Sequence, residues 1–192
     1  MDRVEERRLI EHARAGDADA FSALYRVNVQ AIFRYIYHRV SDTQLAEDLT
    51  GDVFIKALKG IGTYTDQGRP LVAWLYRIAH ARVVDHYRKT DRRPVESDVS
   101  VEPISITPNM DGNLVRKHAA KSLQTAIATL TDEQQQVIIY RFIEGYRIDR
   151  VAELMGKKPN AIKALQHRAL RSLARYLERS GFDVSTIMAD LS

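Results

Sequence analysis

Residues 148–171 read Ile148-Asp-Arg-Val151-Ala-Glu-Leu154-Met-Gly156-Lys-Lys-Pro159-Asn160-Ala-Ile162-Lys163-Ala-Leu165-Gln-His167-Arg168-Ala169-Leu170-Arg171. Ile148, Val151, Ala152, Leu154 and Met155 share one face of a short helix that Gly156 ends. The turn Gly156-Lys-Lys-Pro159 leads into a longer helix, in which Ile162, Leu165, Ala169, Leu170, Leu173 and Leu177 keep helical spacing. A short helix, a glycine-containing turn and a longer helix predict a helix-turn-helix, whose last helix enters the DNA major groove by its N-terminal part. That helix is basic: Lys157, Lys158, Lys163, Arg168, Arg171 and Arg175 occur with no acidic residue between 157 and 175. Asn160, Lys163 and His167 fall on its non-core side, within reach of base edges, and the arginines beyond suit phosphates. The alternative reading is a three-helix bundle whose basic face is only solvated.

Upstream, Thr131-Asp-Glu-Gln134 fits a capping box, and the acids at 132 and 133 suit the positive end of a helix. Val137, Ile138, Tyr140, Arg141 and Phe142 continue that helix to a stop at Gly145. Residues 114–179 thus form one small helical domain. Before it, residues 94–113 hold four acidic side chains (Glu96, Asp98, Glu102, Asp111), no basic ones and three of the five prolines. Proline fixes its own φ and biases the preceding residue away from helix, so this stretch reads as an extended acidic linker rather than as a surface loop inside one domain.

Residues 1–93 also read as helices. Phe21, Leu24, Tyr25, Ile32, Phe33, Ile36, Tyr37 and Val40 make one apolar stripe, with Asp17 or Asp19 available to cap its start. Ser41-Asp-Thr-Gln44 fits a second capping box, opening a helix through Leu45, Leu49, Val53 and Phe54. Gly60, Gly62 and Gly68 break the chain, and Pro70 is placed to begin a third helix with Leu71, Trp74, Leu75 and Ile78 on its buried face. Over 69–93, seven basic residues (Arg69, Arg77, Arg82, Arg88, Lys89, Arg92, Arg93) stand against two acidic ones, with Tyr64, Trp74, Tyr76 and Tyr87 nearby. Cations neutralise phosphates and aromatic faces stack on unpaired bases, a composition suited to single-stranded nucleic acid. For Trp74 and Tyr76 individually, a place in the core is the competing reading.

The chain has 192 residues and a net charge of only +4, but that figure conceals +3 over 1–93, −4 over 94–113 and +5 over 114–192. The absence of cysteine excludes disulfide scaffolds, thiolate metal sites and cysteine nucleophiles. No apolar run reaches the ~20 residues of a membrane helix, and the charged start, Met1-Asp-Arg-Val-Glu-Glu-Arg-Arg8, lacks a signal-peptide core. The expectation is a cytoplasmic protein without membrane insertion. Six histidines (12, 38, 80, 86, 118, 167) include His80 and His86 beside Asp85. Their spacing does not share a helix face as i and i+4 do, and no His-Glu-x-x-His pattern exists. No enzyme, metal or cofactor is expected.

Taken together, the two halves resemble an extracytoplasmic-function (ECF) sigma factor of bacterial RNA polymerase, a branch of the sigma-70 family. The resemblance covers about 8–178. It rests on Ala15-Gly-Asp-Ala-Asp-Ala-Phe21-Ser-Ala-Leu-Tyr25, Ala46-Glu-Asp-Leu-Thr-Gly-Asp-Val-Phe54, Trp74-Leu-Tyr-Arg-Ile-Ala79, Leu130-Thr-Asp-Glu-Gln-Gln-Gln-Val137, Glu144-Gly145, Val151-Ala-Glu-Leu-Met-Gly156 and Ala161-Ile-Lys-Ala-Leu-Gln-His-Arg-Ala169. It implies an all-α protein of two small helical domains joined by the acidic linker: sigma domain two over 1–93, linker 94–113, sigma domain four over 114–179, and a C-terminal tail 180–192. The tail's Phe182, Ile187, Met188 and Leu191 would pack on the second domain, fray, or contact a partner.

The resemblance also implies partners and sites. Core RNA polymerase would dock on Asp48, Leu49, Asp52 and Val53. Minus-ten promoter DNA would be melted and held by Tyr64, Arg69, Trp74, Arg77, His80, Ala81, Arg82, Arg88, Lys89, Arg92 and Arg93. Minus-thirty-five DNA would be read by Lys157, Lys158, Asn160, Ala161, Lys163, Ala164, His167, Arg168 and Arg171. The linker would thread toward the RNA exit path, and an anti-sigma factor would occlude these surfaces. The family often reads Ile-Ala-Arg-Asn where this chain has Ile78-Ala79-His80-Ala81, and Gly-Thr-Val-Lys-Ser-Arg where it has Asn160-Ala161-Ile162-Lys163-Ala164-Leu165. Arg147 stands where a serine or threonine usually opens the penultimate helix. Base preferences are therefore expected to be this chain's own. A one-component helix-turn-helix regulator that is not a polymerase subunit explains 114–179 equally well, but leaves the basic-aromatic helix of 69–93 unaccounted for.

Overall fold

The computed structural model describes residues 1–66, 68–89 and 122–181, and within them the chain is helical with no strand. Arg92 and Arg93, the linker 94–113, the opening of the second domain (114–121) and the tail from 182 lie outside the described residues. The chain divides into two compact units, the first built on Met1–Arg93.

The first unit carries α1 (Arg3–Arg14), α2 (Ala18–Val40), α3 (Thr43–Gly60), a 3₁₀ turn (Ile61–Thr63) and α4 (Leu71–Lys89). The apolar stripe of α2 supplies Leu24, Ile32, Tyr35 and Ile36 to the interior. Helix α3 adds Ala46, Leu49, Val53 and Ala57, and α4 adds Leu75, Ile78, Ala79 and Val83. The three helices pack pairwise, and α1 lies against α2 and the 3₁₀ turn. Small residues at Ala46, Ala57 and Ala79, all fully buried, let the helices approach closely.

Short-range chemistry sets the ends. Asp2 caps α1 by accepting from the N–H groups of Val4 and Glu5. Asp17, rather than Asp19, caps α2, accepting from Asp19 and Ala20. The Ala20 hydrogen bond is the largest cause holding the Asp17 carboxyl below its ordinary pKa. Ser41 does not open α3 as the sequence pattern predicts. It closes α2 in the left-handed conformation (φ 59°), donating its N–H to Tyr37 O, and Asp42 accepts from Leu45 N instead. A two-residue connection needs one residue to reverse the chain and the next to cap, so the cap falls one position later. Pro70 likewise stands just before α4, its carbonyl accepting from Ala73 N.

The second unit contains helical residues 122–128 (α5), α6 (Asp132–Ile138), a π turn (Ile139–Ile143) and α8 (Pro159–Arg179). The short helix α7 (Ile148–Met155) lies between the π turn and α8. Ala126, Ile127, Leu130, Ile138, Ala169 and Leu173 form one buried cluster, flanked by Leu170, Tyr176 and Leu177. Gln134 Oε1 accepts from Thr131 N, as the capping-box pattern predicts. The buried Gln135 donates Nε2 to the carbonyls of Leu130 and Ala128, satisfying the end of α5. The single helix expected through Phe142 changes to π geometry at Ile139. Glu144 N–H donates to Ile139 O, and Tyr146 N–H to Tyr140 O. Gly145 (φ 70°) and Gly156 (φ 66°) take the left-handed backbone at the two predicted stops.

Leu75→Ala is expected to destabilise the first unit by about 2–5 kcal/mol, while Arg77→Ala, on the exposed side of the same helix, changes it by less than about 0.5 kcal/mol. Denaturant unfolding followed through Trp74, the chain's one tryptophan, reads the first unit selectively.

Candidate nucleic-acid interface

The long helix α8 has two unlike faces. Ile162, Leu165, Ala169 and Leu173 are buried, while Lys158, Asn160, Ala161, Lys163, Ala164, Arg168, Arg171 and Arg175 are exposed. His167 and Lys157 are half-buried at the margin. Asn160, Ala164, Arg168, Arg171 and Arg175 recur three and four residues apart and make a strip along one side of the helix, which Ala161 and Lys163 widen at its start. No carboxylate interrupts it, and the positive end of the helix dipole lies at its start. Ala161 and Ala164 keep the first two turns low enough for a close approach by another surface.

A side chain absent from the predicted site ties α8 to the chain upstream. Arg141, in the π turn, donates Nε to Gln166 Oε1 (3.0 Å) and Nη1 to the carbonyl of Tyr146. One guanidinium thus links the π turn, the loop before α7 and the second turn of α8. The only trace of this in sequence is a cation among the apolar residues 137–143. Phe142, beside it, is exposed, with the Arg141 guanidinium 6.0 Å from its ring centre.

In the first unit, Arg77, Arg88 and Lys89 are exposed along α4, and Arg69, Trp74, Ala81 and Arg82 are half-buried. Two expected contact residues are turned inward. Tyr64 is buried, its ring 4.9 Å from that of Trp74, and burial is the first cause raising its phenol pKa. Its face packs against protein and is not open to a base. Trp74 is held on the other side by Gly60, where a Cβ would lie 3.3 Å from the indole. His80 faces Arg39: its Nδ1 is 2.9 Å from Arg39 Nη1. Arg39 is itself buried, donating to the Tyr35 hydroxyl and lying over that ring, while Tyr87 donates its hydroxyl to the Arg39 carbonyl. Sequence reading missed Arg39, although a cation three residues after Ile36 on an apolar stripe is the signal of a buried charge.

The α3 block splits in the same way. Asp48 and Asp52 are exposed, but Leu49 and Val53 belong to the core, so they cannot touch a partner directly. Helical periodicity puts residues one apart on different faces. The exposed side of α3 instead adds Ile55 and Leu58 to the two acids. Among the described residues, no group of three or more histidine and acidic side chains could hold a metal, and no helix is long and apolar enough to cross a membrane.

Two family descriptions match the chain: "Sigma-70 region 2" over residues 24–93 and "Sigma-70, region 4" over residues 120–173. The chain is 39% identical over 170 residues to the ECF RNA polymerase sigma factor BldN of Streptomyces coelicolor, covering 88% of this chain and 64% of that one. It therefore spans slightly under two thirds of that relative. It is 27% identical to the RNA polymerase sigma factor YlaC of Bacillus subtilis, covering 84% of this chain and 94% of that one. Among solved structures, CnrH bound to the cytosolic domain of CnrY has the same fold (TM-score 0.67, 22% identity, 91% and 98% covered). The sigma factor RpoE bound to the anti-sigma factor NepR of Bartonella quintana is also similar (TM-score 0.58, 26% identity, 82% and 96% covered).

Removing either partner of the Arg141–Gln166 bond should loosen the first turns of α8. Hydrogen exchange of the amides of 162–166 is expected to accelerate in Arg141→Ala and, to a smaller degree, in Gln166→Ala, with a coupling of about 1 kcal/mol between the two changes. Equal exchange in all variants would leave α8 positioned by apolar packing alone.

Proposed function

The chain belongs to the sigma-70 family, in its extracytoplasmic-function branch, and we propose that it directs promoter-specific initiation as a dissociable subunit of RNA polymerase. The observation that carries this reading is the occurrence of two exposed basic helix faces, on α4 and α8, in a chain whose two halves match regions 2 and 4 of that family. Each face suits a different form of DNA.

On α8, Asn160, Lys163 and His167 reach base edges in the major groove, where lysine pairs with guanine and asparagine with adenine. Lys157, Lys158, Arg168 and Arg171 neutralise phosphates, and Ala161 and Ala164 let the helix sit deep, with methyl groups available to thymine. On α4, Arg77, Arg82, Arg88 and Lys89, joined by Arg69 and by Arg92 and Arg93 beyond the helix, hold the backbone of a melted minus-ten strand. Trp74 supplies apolar surface. Since Tyr64 and His80 are turned inward, they act by supporting this face and not as base contacts. Ala81 offers no hydrogen bond to a base, which makes discrimination there a matter of shape.

The polymerase is approached by the exposed side of α3. Asp48 and Asp52 meet a basic surface while Ile55 and Leu58 supply apolar contact. The acidic segment 94–113 imitates nucleic acid along the RNA path. An anti-sigma factor, a partner of the kind that RpoE has in its complex with NepR, would compete for the surfaces of this chain. The chain acts in the cytoplasm, where promoters and polymerase are, and the catalysis of RNA synthesis belongs to the polymerase and not to this chain.

Purified chain added to core polymerase should yield run-off transcripts from a subset of genomic fragments, while the chain alone binds the same duplexes weakly. Tight, specific duplex binding without core polymerase would favour the one-component regulator. Lys163→Ala with Arg168→Ala should weaken promoter binding by about 1–3 kcal/mol for each base edge no longer engaged. The same pair should flatten the salt dependence by about one unit for each phosphate released. Unchanged binding removes α8 from the interface. Asp48→Ala with Asp52→Ala should lower affinity for core polymerase in a titration and leave the preferred promoter sequence unchanged. Intact affinity would exclude this face of α3.

A further inference from the structure

The segment between α3 and α4 carries Tyr64 and Arg69 and leads directly into the first turn of α4, which holds Trp74. Its described residues have little regular structure: a 3₁₀ turn at Ile61–Thr63, then 64–66 and 68–70 outside any helix. Its conformation is held from outside, by α1.

Arg3, Glu6 and Arg7 stand on one side of α1 and reach two points of this segment and the first residue of α4. Arg7 Nε pairs with Asp66 Oδ2 at 2.9 Å. The other oxygen of Asp66 accepts from Gly68 N at 2.8 Å. Arg3 Nη2 donates to Gly68 O at 2.7 Å. Gly68, in the left-handed region (φ 75°), is thereby gripped at both its N–H and its carbonyl. Glu6 is buried, and its Oε1 accepts from Leu71 N (3.3 Å), the first amide of α4 and one with no partner inside the helix. Its second oxygen accepts from Arg3 Nη1 at 3.1 Å. A carboxylate at that point also complements the positive end of α4.

We infer that α1 is a positioning element for promoter reading: Arg3, Glu6 and Arg7 fix Asp66, Gly68 and the start of α4 in the conformation that meets the unpaired strand. The inference rests on the proposed sigma-factor function and assigns these residues a part that neither domain's basic face includes. Arg7 and Asp66 are substantially exposed, and such an ion pair contributes little to global stability. Its two ends are 59 residues apart, and it spans a helix and a loop, so its effect lies in geometry. Sites of this kind lose function when their supporting shell loosens by a fraction of an ångström.

The test uses the full chain with core polymerase on a promoter series varied at each minus-ten position. Arg7→Ala, Arg3→Ala and Asp66→Ala are each expected to lower transcription from the best promoter by roughly ten-fold and to narrow the difference between best and worst minus-ten bases. The Trp74-monitored unfolding midpoint and the affinity for core polymerase should stay at wild-type values. Arg7→Lys, which keeps the charge opposite Asp66, should restore most of the discrimination. Unchanged discrimination in all three alanine variants overturns the inference. So does a split in which Arg7→Ala weakens promoter binding while Asp66→Ala strengthens it, because Arg7 would then be a phosphate contact in its own right. If the wild-type chain itself gives no transcript with core polymerase, the sigma-factor reading fails first and the inference falls with it.

Discussion

Burial of one face of α4 between α2 and α3 is the constraint from which the first unit follows. Leu75, Ile78, Ala79 and Val83 can leave water only if the helix turns that side inward, and Tyr35, Ile36, Val53 and Ala57 provide the complementary surface. Once that face is buried, Arg77, Arg88 and Lys89 must point to solvent, since a helix fixes the angle between successive side chains. The core and the basic surface are therefore one structural fact. The same holds for α8, where burying Ile162, Leu165, Ala169 and Leu173 leaves the lysines and arginines in a strip on the other side.

Neither unit is large, so polar groups drawn into the interior carry weight beyond their number. Several of them tie one element to another. Glu6 satisfies the first amide of α4, Arg39 joins Tyr35 and His80, and Gln135 closes the end of α5. Burying such a group without a partner is costly, so each imposes a direction that apolar packing alone would leave free. Arg141, linking the π turn to Gln166, belongs with them. These residues do not touch DNA in the proposed mechanism, yet they decide the orientation of the helices that do.

Two modest basic faces on one chain suit the proposed role, that of a subunit whose affinity for DNA depends on a larger assembly. In that role each basic face alone would offer mostly phosphate contacts, which are sequence-blind and salt-sensitive. Specificity would then depend on a few base-edge groups at the start of α8 and on the geometry of the residues before α4. Under the proposed function this division matches the contrast between the units: one would offer a regular helix to the regular groove of a duplex, the other an externally braced segment to an irregular single strand.

Most helices, both glycine stops and the exposed strip of α8 were legible in the sequence, because hydrophobic period, capping chemistry and left-handed glycine act over only a few residues. The spacing of Ile162, Leu165 and Ala169 suffices to turn Lys163 and Arg168 outward. Local rules did less well where two ends compete for one short connection, as at Ser41 and Asp42, or where the backbone shifts register, as at Ile139. What only the tertiary structure decided is which charged and aromatic side chains are turned inward. Tyr64 and His80 look like contact residues by composition, and Leu49 and Val53 lie between two exposed acids, yet all four are committed to the protein's own packing or hydrogen bonding. Their partners, Trp74, Arg39 and the neighbouring helices, come from elsewhere in the chain. A residue's type sets what it can bind, but only the fold determines whether another part of the same protein has already bound it.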